Sequence, residues 1–328
     1  MKLISLPAAY SSVFGPNMFD FEEVPTDAPA EVTFVDDEGA LLGAKRYVGS
    51  PAISCSVESY LRRTLHPVPL LADRYMFTEA TGRNVRLQAL WGEEQASPLV
   101  TFTLAHQNLA EREPIGEATQ RRTIARGEWD EVLFVASREQ PLGAKVTFST
   151  GEKFDSYSKS SMRDGLWAFV VNVDALLART ARPEQVEWFS VELVVEQEHI
   201  VKVTYNLVER AMGMKRLAWL GSDGQIYYHN FRQPVESSVV AQTTSVELAS
   251  GTSVVAKSGW HQMRLESGVV GSEVAQHLAG IATSPYLWLV EGDKATPLVA
   301  LSCEAHLAGS QGRGVSLVVR PAEKEVYW

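Results

Sequence analysis

Apolar and polar residues alternate with a period of two along most of the chain. The runs EVTFVDD (31–37), NVRLQALW (84–91), LVTFTLA (99–105), EVLFVAS (131–137) and AKVTFST (144–150) show it. So do WAFVVNV (167–173), WFSVELVVE (188–196), IVKVTYNLV (200–208) and VSLVVRP (315–321). Successive side chains of a strand point to opposite faces, so these runs predict half-buried β-strands. They are rich in Val, Thr, Phe and Tyr, which suit a pleated surface packed on one side. Turn-forming clusters punctuate them at Asp37-Glu38-Gly39, Pro141-Leu142-Gly143, Thr150-Gly151, Glu291-Gly292-Asp293 and Gly312-Arg313-Gly314.

Helical periodicity is confined to short stretches. SVESYLRRTL (56–65) places Val57, Tyr60, Leu61 and Leu65 on one stripe, and VDALLART (173–180) allows two turns. SEVAQHLAGIATS (272–284) sets Val274, Leu278 and Ile281 on one face, with Ser272 as the expected N-cap and Pro285 as the stop. Long polar breaks near 107–122 and 209–215 divide the strands. The prediction is a mainly β, multidomain chain of antiparallel β-sandwich or barrel-like domains with a few short helices. Its expected domains are an N-terminal β-sandwich (1–115), a middle β-sandwich (116–210) and a C-terminal α+β domain (211–328).

Composition narrows the functional classes. The 328 residues are 45% hydrophobic and 21% charged, as folded domains are. A formal net charge of −10 repels phosphate backbones, so no nucleic-acid partner is expected. No run approaches the roughly 18 apolar residues of a membrane span, and no membrane insertion is expected. The N-terminal apolar run is broken by Ser5, Pro7, Ser11 and Ser12, unlike a signal peptide. Assembly in the cytoplasm is therefore expected. Cys55 and Cys303 form neither a disulfide framework nor a zinc signature. Two buried thiols are expected, with one long-range bridge as the alternative.

A search for chemistry yields little. GxSxG, P-loop, HExxH and strand-linked GxGxxG patterns are absent. Cys303 with His306, and Glu196 with His199, stand three apart in strand-like sequence, which sends each pair to opposite faces rather than onto one metal. Glu192, Glu196 and Glu198 share parity, opposite Val191, Leu193 and Val195. That is the pattern of a solvated sheet face; a sugar cleft would need a second carboxylate facing across it. Asp36-Asp37-Glu38-Gly39 reads as a hairpin turn rather than a calcium loop. Trp167, Trp219 and Trp288 lie inside strand patterns, where core is the expectation and a sugar-stacking platform the alternative. The sequence thus nominates no catalytic, cofactor-binding or metal-binding residue, and no cofactor.

Two stretches carry more information. RLAWLGSDGQIYYHNF (216–231) has two aromatic-rich arms around Gly-Ser-Asp-Gly, and Asp223-Gly224 predicts a tight hairpin with aromatic cross-strand pairs. Trp219, Leu220, Gly224, Tyr228 and Phe231 resemble a motif in tail or minor structural proteins of phages and prophages of Bacteroidetes-type bacteria, with Gly221 where those carry Asn. Downstream, Glu273, Leu278, Thr283, Ser284, Pro285, Tyr286, Leu287, Leu289, Pro297, Leu298 and Val299 are similar to the C-terminal module of the same proteins. There a helix leads into an apolar strand, an acidic turn and a further strand. The resemblance covers about the last 115 residues. It implies a non-enzymatic virion or tail component, distal-tail or baseplate-like. Its partners would be copies of itself and other tail proteins. The alternative is a carbohydrate-binding or receptor-binding adhesin that stacks tryptophans on a surface glycan.

Overall fold

A computed structural model describes residues 1–111, 113–136, 141–157, 164–195, 198–232, 234–248, 250–307 and 314–323. The chain forms two compact units, one of Met1–Leu207 with Ser222–Gln225, the other of Val208–Gly221 with Ile226–Trp328. Both are mainly β, and every strand pairing whose register is described is antiparallel except that the two-residue Ser11–Ser12 lies parallel to Val100–Thr103.

The strands of the first unit are β1 (Lys2–Ser5), β2 (Ser11–Ser12), β3 (Met18–Glu22), β4 (Ala30–Asp36), β5 (Leu41–Tyr47), β6 (Ala52–Ser56), β7 (Met76–Glu79), β8 (Asn84–Trp91), β9 (Glu94–Gln95) and β10 (Val100–Thr103). They continue with β11 (Thr119–Ala125), β12 (Trp129–Ala136), β13 (Leu142–Phe148), β14 (Lys153–Tyr157), β15 (Gly165–Asn172), β16 (Trp188–Val195) and β17 (Glu198–Val208). Two short helices, α1 (Glu58–Thr64) and α2 (Val173–Leu177), complete it. The sheets run β1-β3-β6, β2-β10-β8-β4-β5, β11-β17-β16-β13-β14 and β12-β15-β7.

Alternation explains the sandwich. Val132 and Phe134 of β12 and Phe169 and Val171 of β15 turn one way, and meet Val146, Phe148, Phe189, Val191, Val203 and Tyr205 of the five-stranded sheet. Leu133, Val135, Leu166 and Ala168 turn the other way, and pack with Tyr10, Ala80, Leu109 and Ile115. The β12–β15 pair is therefore a middle layer, covered on both faces. This corrects the boundary expected at 115: β7 pairs with β15, Met76 opposite Val170, so residues before and after 115 share a sheet and a core. Ser222–Gln225 also packs with this unit. The Ser222 carbonyl accepts from the His106 N–H at 2.7 Å, and Gln225 Oε1 from the Leu133 N–H at 3.2 Å.

Pro141-Leu142-Gly143, expected as a turn, instead begins β13. Gly143 lies opposite Tyr157, and a Cβ there would meet the tyrosine ring at 3.0 Å, so the missing side chain leaves room for a cross-strand aromatic.

The second unit is one seven-stranded sheet. Its strands are β18 (Lys215–Leu220), β19 (Ile226–Phe231), β20 (Glu236–Leu248), β21 (Gly251–Glu266), β22 (Leu287–Glu291), β23 (Lys294–His306) and β24 (Gly314–Pro321), in the order β19-β18-β22-β23-β24-β21-β20. Helix α3 (Ser272–Ala279) and a following 3-10 turn place Leu278 and Ile281 against Leu217, Trp219, Leu287, Leu289, Leu317 and Val319. The N-cap is Gly271, not Ser272. The Gly271 carbonyl accepts from the Ala275 N–H at 2.9 Å, and no side chain caps the helix.

Candidate interaction surface

The hairpin at 216–231 forms, with a looser turn than expected. β18 and β19 are joined by five residues, 221–225, not by a two-residue turn. Gly224 alone takes a left-handed φ, 82°, and Asp223 Oδ1 accepts from the Gln225 N–H at 3.1 Å. Trp219 pairs with Tyr227 across the strands, with ring centroids 6.0 Å apart, and Tyr227 stacks in turn on His277 of α3 at 5.3 Å. These rings fix the helix to the sheet. His229, on the same strand, is held neutral: burial, and then the Arg216 cation, depress its pKa to about 4.

The residues weighed for chemistry do not converge. Trp219 and Trp288 are buried, and Trp167 packs on the sandwich core. Among the described residues, the exposed tryptophan and tyrosine are Trp188 and Tyr157. Tyr157 lies opposite Gly143, which lies opposite Val194. It is thus about six residues along β16 from Trp188, roughly 20 Å at the usual strand rise. No flat sugar platform follows from that pair. Glu192 forms an ion pair with His199 Nδ1 at 2.5 Å, Glu198 is exposed, and Glu196 lies outside the described residues, as do Ser137 and the Gly312-Arg313 turn. Cys303 packs beside the second core and His306 is exposed at the end of β23. Both cysteines are free. Cys55 is buried, whereas Cys303 is half-buried, which corrects the expectation of two buried thiols. Burial pushes both thiols up in pKa, the direction that suppresses a reactive thiolate. The Glu273 side chain is not among those described.

Two polar features of the first unit look like sites and are structural. Arg83 and Glu131 are fully buried and paired; Arg83 Nη2 donates to Glu131 Oε2 at 2.7 Å and to the Val68 carbonyl at 3.2 Å. Beside them, Arg122 Nη1 donates to both oxygens of Asp130, at 3.0 and 2.9 Å, and Nη2 to Gln120 Oε1 at 2.7 Å. These charges are consumed by one another within the core. An open groove of about 550 Å³ is lined by Ser149, Thr150, Glu152, Arg182, Gln185 and Glu187. Its Glu152 accepts from Thr180 Oγ1, from Thr150 Oγ1 at 3.2 Å and from the Ala181 N–H at 3.2 Å, so it closes the loop on itself.

Among the described residues, the β20–β21 ribbon stands out as a long paired segment with little cover. β21 pairs with β24 only over Met263–Glu266. From Ser238 opposite Gln262 to Leu248 opposite Gly251, among the described residues, the two strands pair only with each other, over about 35 Å at roughly 3.3 Å per residue. Every residue from Ala241 to Val255 whose burial is described is exposed. Val246 and Leu248 lie on one face of the ribbon and Val254 on the other, while Val255 is the extra residue of a bulge. At the root, the Arg320 guanidinium covers the Trp260 ring at 5.4 Å. The strand runs read from the sequence did not include 236–266. The signal is there in retrospect, in the β-branched, nearly uncharged SSVVAQTTSVEL and GTSVVA around Ala249-Ser250-Gly251.

No family model matches the chain, and no curated protein matches it. Among solved structures, the complex of Dpr2 Ig1-Ig2 with DIP-Theta Ig1-Ig3 aligns at a TM-score of 0.19 and 7% identity, over 98% of this chain and 88% of that one. At that score the likeness carries no argument. Among the described residues, no helix is long and apolar enough to cross a membrane.

Proposed function

We propose that the chain is a non-enzymatic structural subunit that works by assembly, as a component of a phage or prophage-derived tail, distal-tail or baseplate-like. The observation that carries the reading is the β20–β21 ribbon. A two-stranded hairpin is marginally stable by itself in water. A ribbon this long, with Val246 and Leu248 exposed on one face and Val254 on the other, is supported when another protein pairs with it or covers it. The tail context rests on the resemblance around Trp219–Phe231 and Leu278–Val299. The buried ion pairs and the self-bonded Glu152 fit a scaffold better than a catalyst.

The test is size-exclusion chromatography with light scattering over a concentration series, followed by negative-stain imaging of the largest species. Closed rings or stacked tubes are expected. A monomer at every concentration, with or without a co-expressed neighbouring tail protein, contradicts the assembly reading.

A further inference from the structure

We propose that the partner of the ribbon is a second copy of this chain, joined through the free edge of β20. This rests on the assembly reading above and names its contact: β20 of one copy pairs antiparallel with β20 of another, and two seven-stranded sheets become one.

Natural sheets protect their edges with short strands, charged side chains or proline. β5 carries Lys45 and Arg46, β11 carries Arg121, and β14 is five residues with Lys153 and Asp155. β1 has four residues and β19 six. β20 has thirteen, without Lys, Arg or Pro, and its charges are Glu236 and Glu247 near its two ends. An edge left this long and unguarded, in a chain whose other described edge strands run eight residues or fewer, is an edge that is filled in the working particle.

Charge selects the occupant. The whole chain carries −10, so two copies repel over most of their surfaces. Between Ala241 and Val255 the single ionisable residue is Glu247. The ribbon is thus where the repulsion between copies is weakest, and it offers nothing that would select a charged partner. Its Ser, Thr and Val residues match a strand of the same kind: Thr–Thr and β-branched pairs across strands are favourable. β20 brings 13 residues from each copy to such a contact, below the roughly 20–30 residues a side of a standard-size interface, which makes it a weak, concentration-dependent one. An isologous contact of this kind closes a dimer, and a second contact elsewhere would be needed to build a ring from such dimers.

A charge-swap pair tests it. One variant carries Val239→Lys, Thr243→Lys and Val246→Lys; the other carries Val239→Glu, Thr243→Glu and Val246→Glu. All three side chains are exposed, so circular dichroism and the urea midpoint should match the parent. Each variant alone should need at least about tenfold more protein to half-assemble in light scattering. An equimolar mixture should recover the assembly of the parent. Two results overturn the inference while leaving the assembly reading intact: a Lys variant that assembles as the parent does, or a mixture that stays dissociated when each variant alone has dissociated. A parent that never associates overturns both.

Discussion

The β12–β15 pair and the β20–β21 pair share one backbone geometry and have opposite fates. Both are antiparallel, and both are rich in valine. In β12–β15 both faces are covered, so the sequence runs nearly apolar through VLFVA and LWAFVV. In β20–β21 neither face is covered over its outer part, and Ser and Thr interrupt the valines. Stability resides in the first pair, where each fully buried Phe or Leu contributes about 1.5–3 kcal/mol. The second pair gains little from its own unit and is left as surface for a partner. Comparing the two shows that strand formation alone does not say what a strand is for; what covers its faces and edges does.

The sharpest way to break the comparison is to remove a charge from the middle layer. Glu131→Ala leaves the Arg83 guanidinium buried without its carboxylate, and the first unit should lose about 3–5 kcal/mol in urea unfolding. Replacing both partners, Arg83→Met with Glu131→Leu, should recover most of it, since the pair's own net contribution is small. A double variant as unstable as the single one would show that the pair does more than neutralise itself.

The next effect is a pH dependence in the second unit. His229 has a folded pKa of about 4, below the ordinary value of 6.5. The unfolded chain therefore takes up the proton first as pH falls. The stabilisation is complete above pH 6.5 and is lost between 6.5 and 4, a loss of about 3–3.5 kcal/mol at roughly 1.4 kcal/mol per pKa unit. Unfolding of the second unit followed by tryptophan fluorescence should show this slope, and His229→Gln should flatten it. An unchanged slope in the variant would assign the pH dependence to other groups.

The smallest effect is expected on the ribbon. Val254→Ser should change monomer stability by no more than about 0.5 kcal/mol, because the side chain is exposed and lies outside the core of its unit. A loss of more than 1 kcal/mol would mean that the ribbon is packed within the monomer after all.

The regular strands were legible because alternation is local. Val191, Leu193 and Val195 announce the buried face of β16 by parity alone. The three-domain division was not, because β7 joins β15 across some ninety residues, and no local pattern records such a pairing. Pro141-Leu142-Gly143 misled because glycine marks turns in general, whereas here it makes room for the Tyr157 ring. The ribbon escaped notice for a related reason. Ser, Thr and Val together signal neither a buried face nor a turn, and only three-dimensional placement shows that the segment stands clear of its core.

The most direct test of the ribbon as the assembly surface is hydrogen exchange measured across the concentration range in which the protein associates. Amides of Glu236–Leu248 should gain protection as assembly proceeds, while those of β12 and β15 stay at their already slow rates. Exchange in β20 that is equally fast in monomer and assembly, with protection appearing on another surface, would contradict the account.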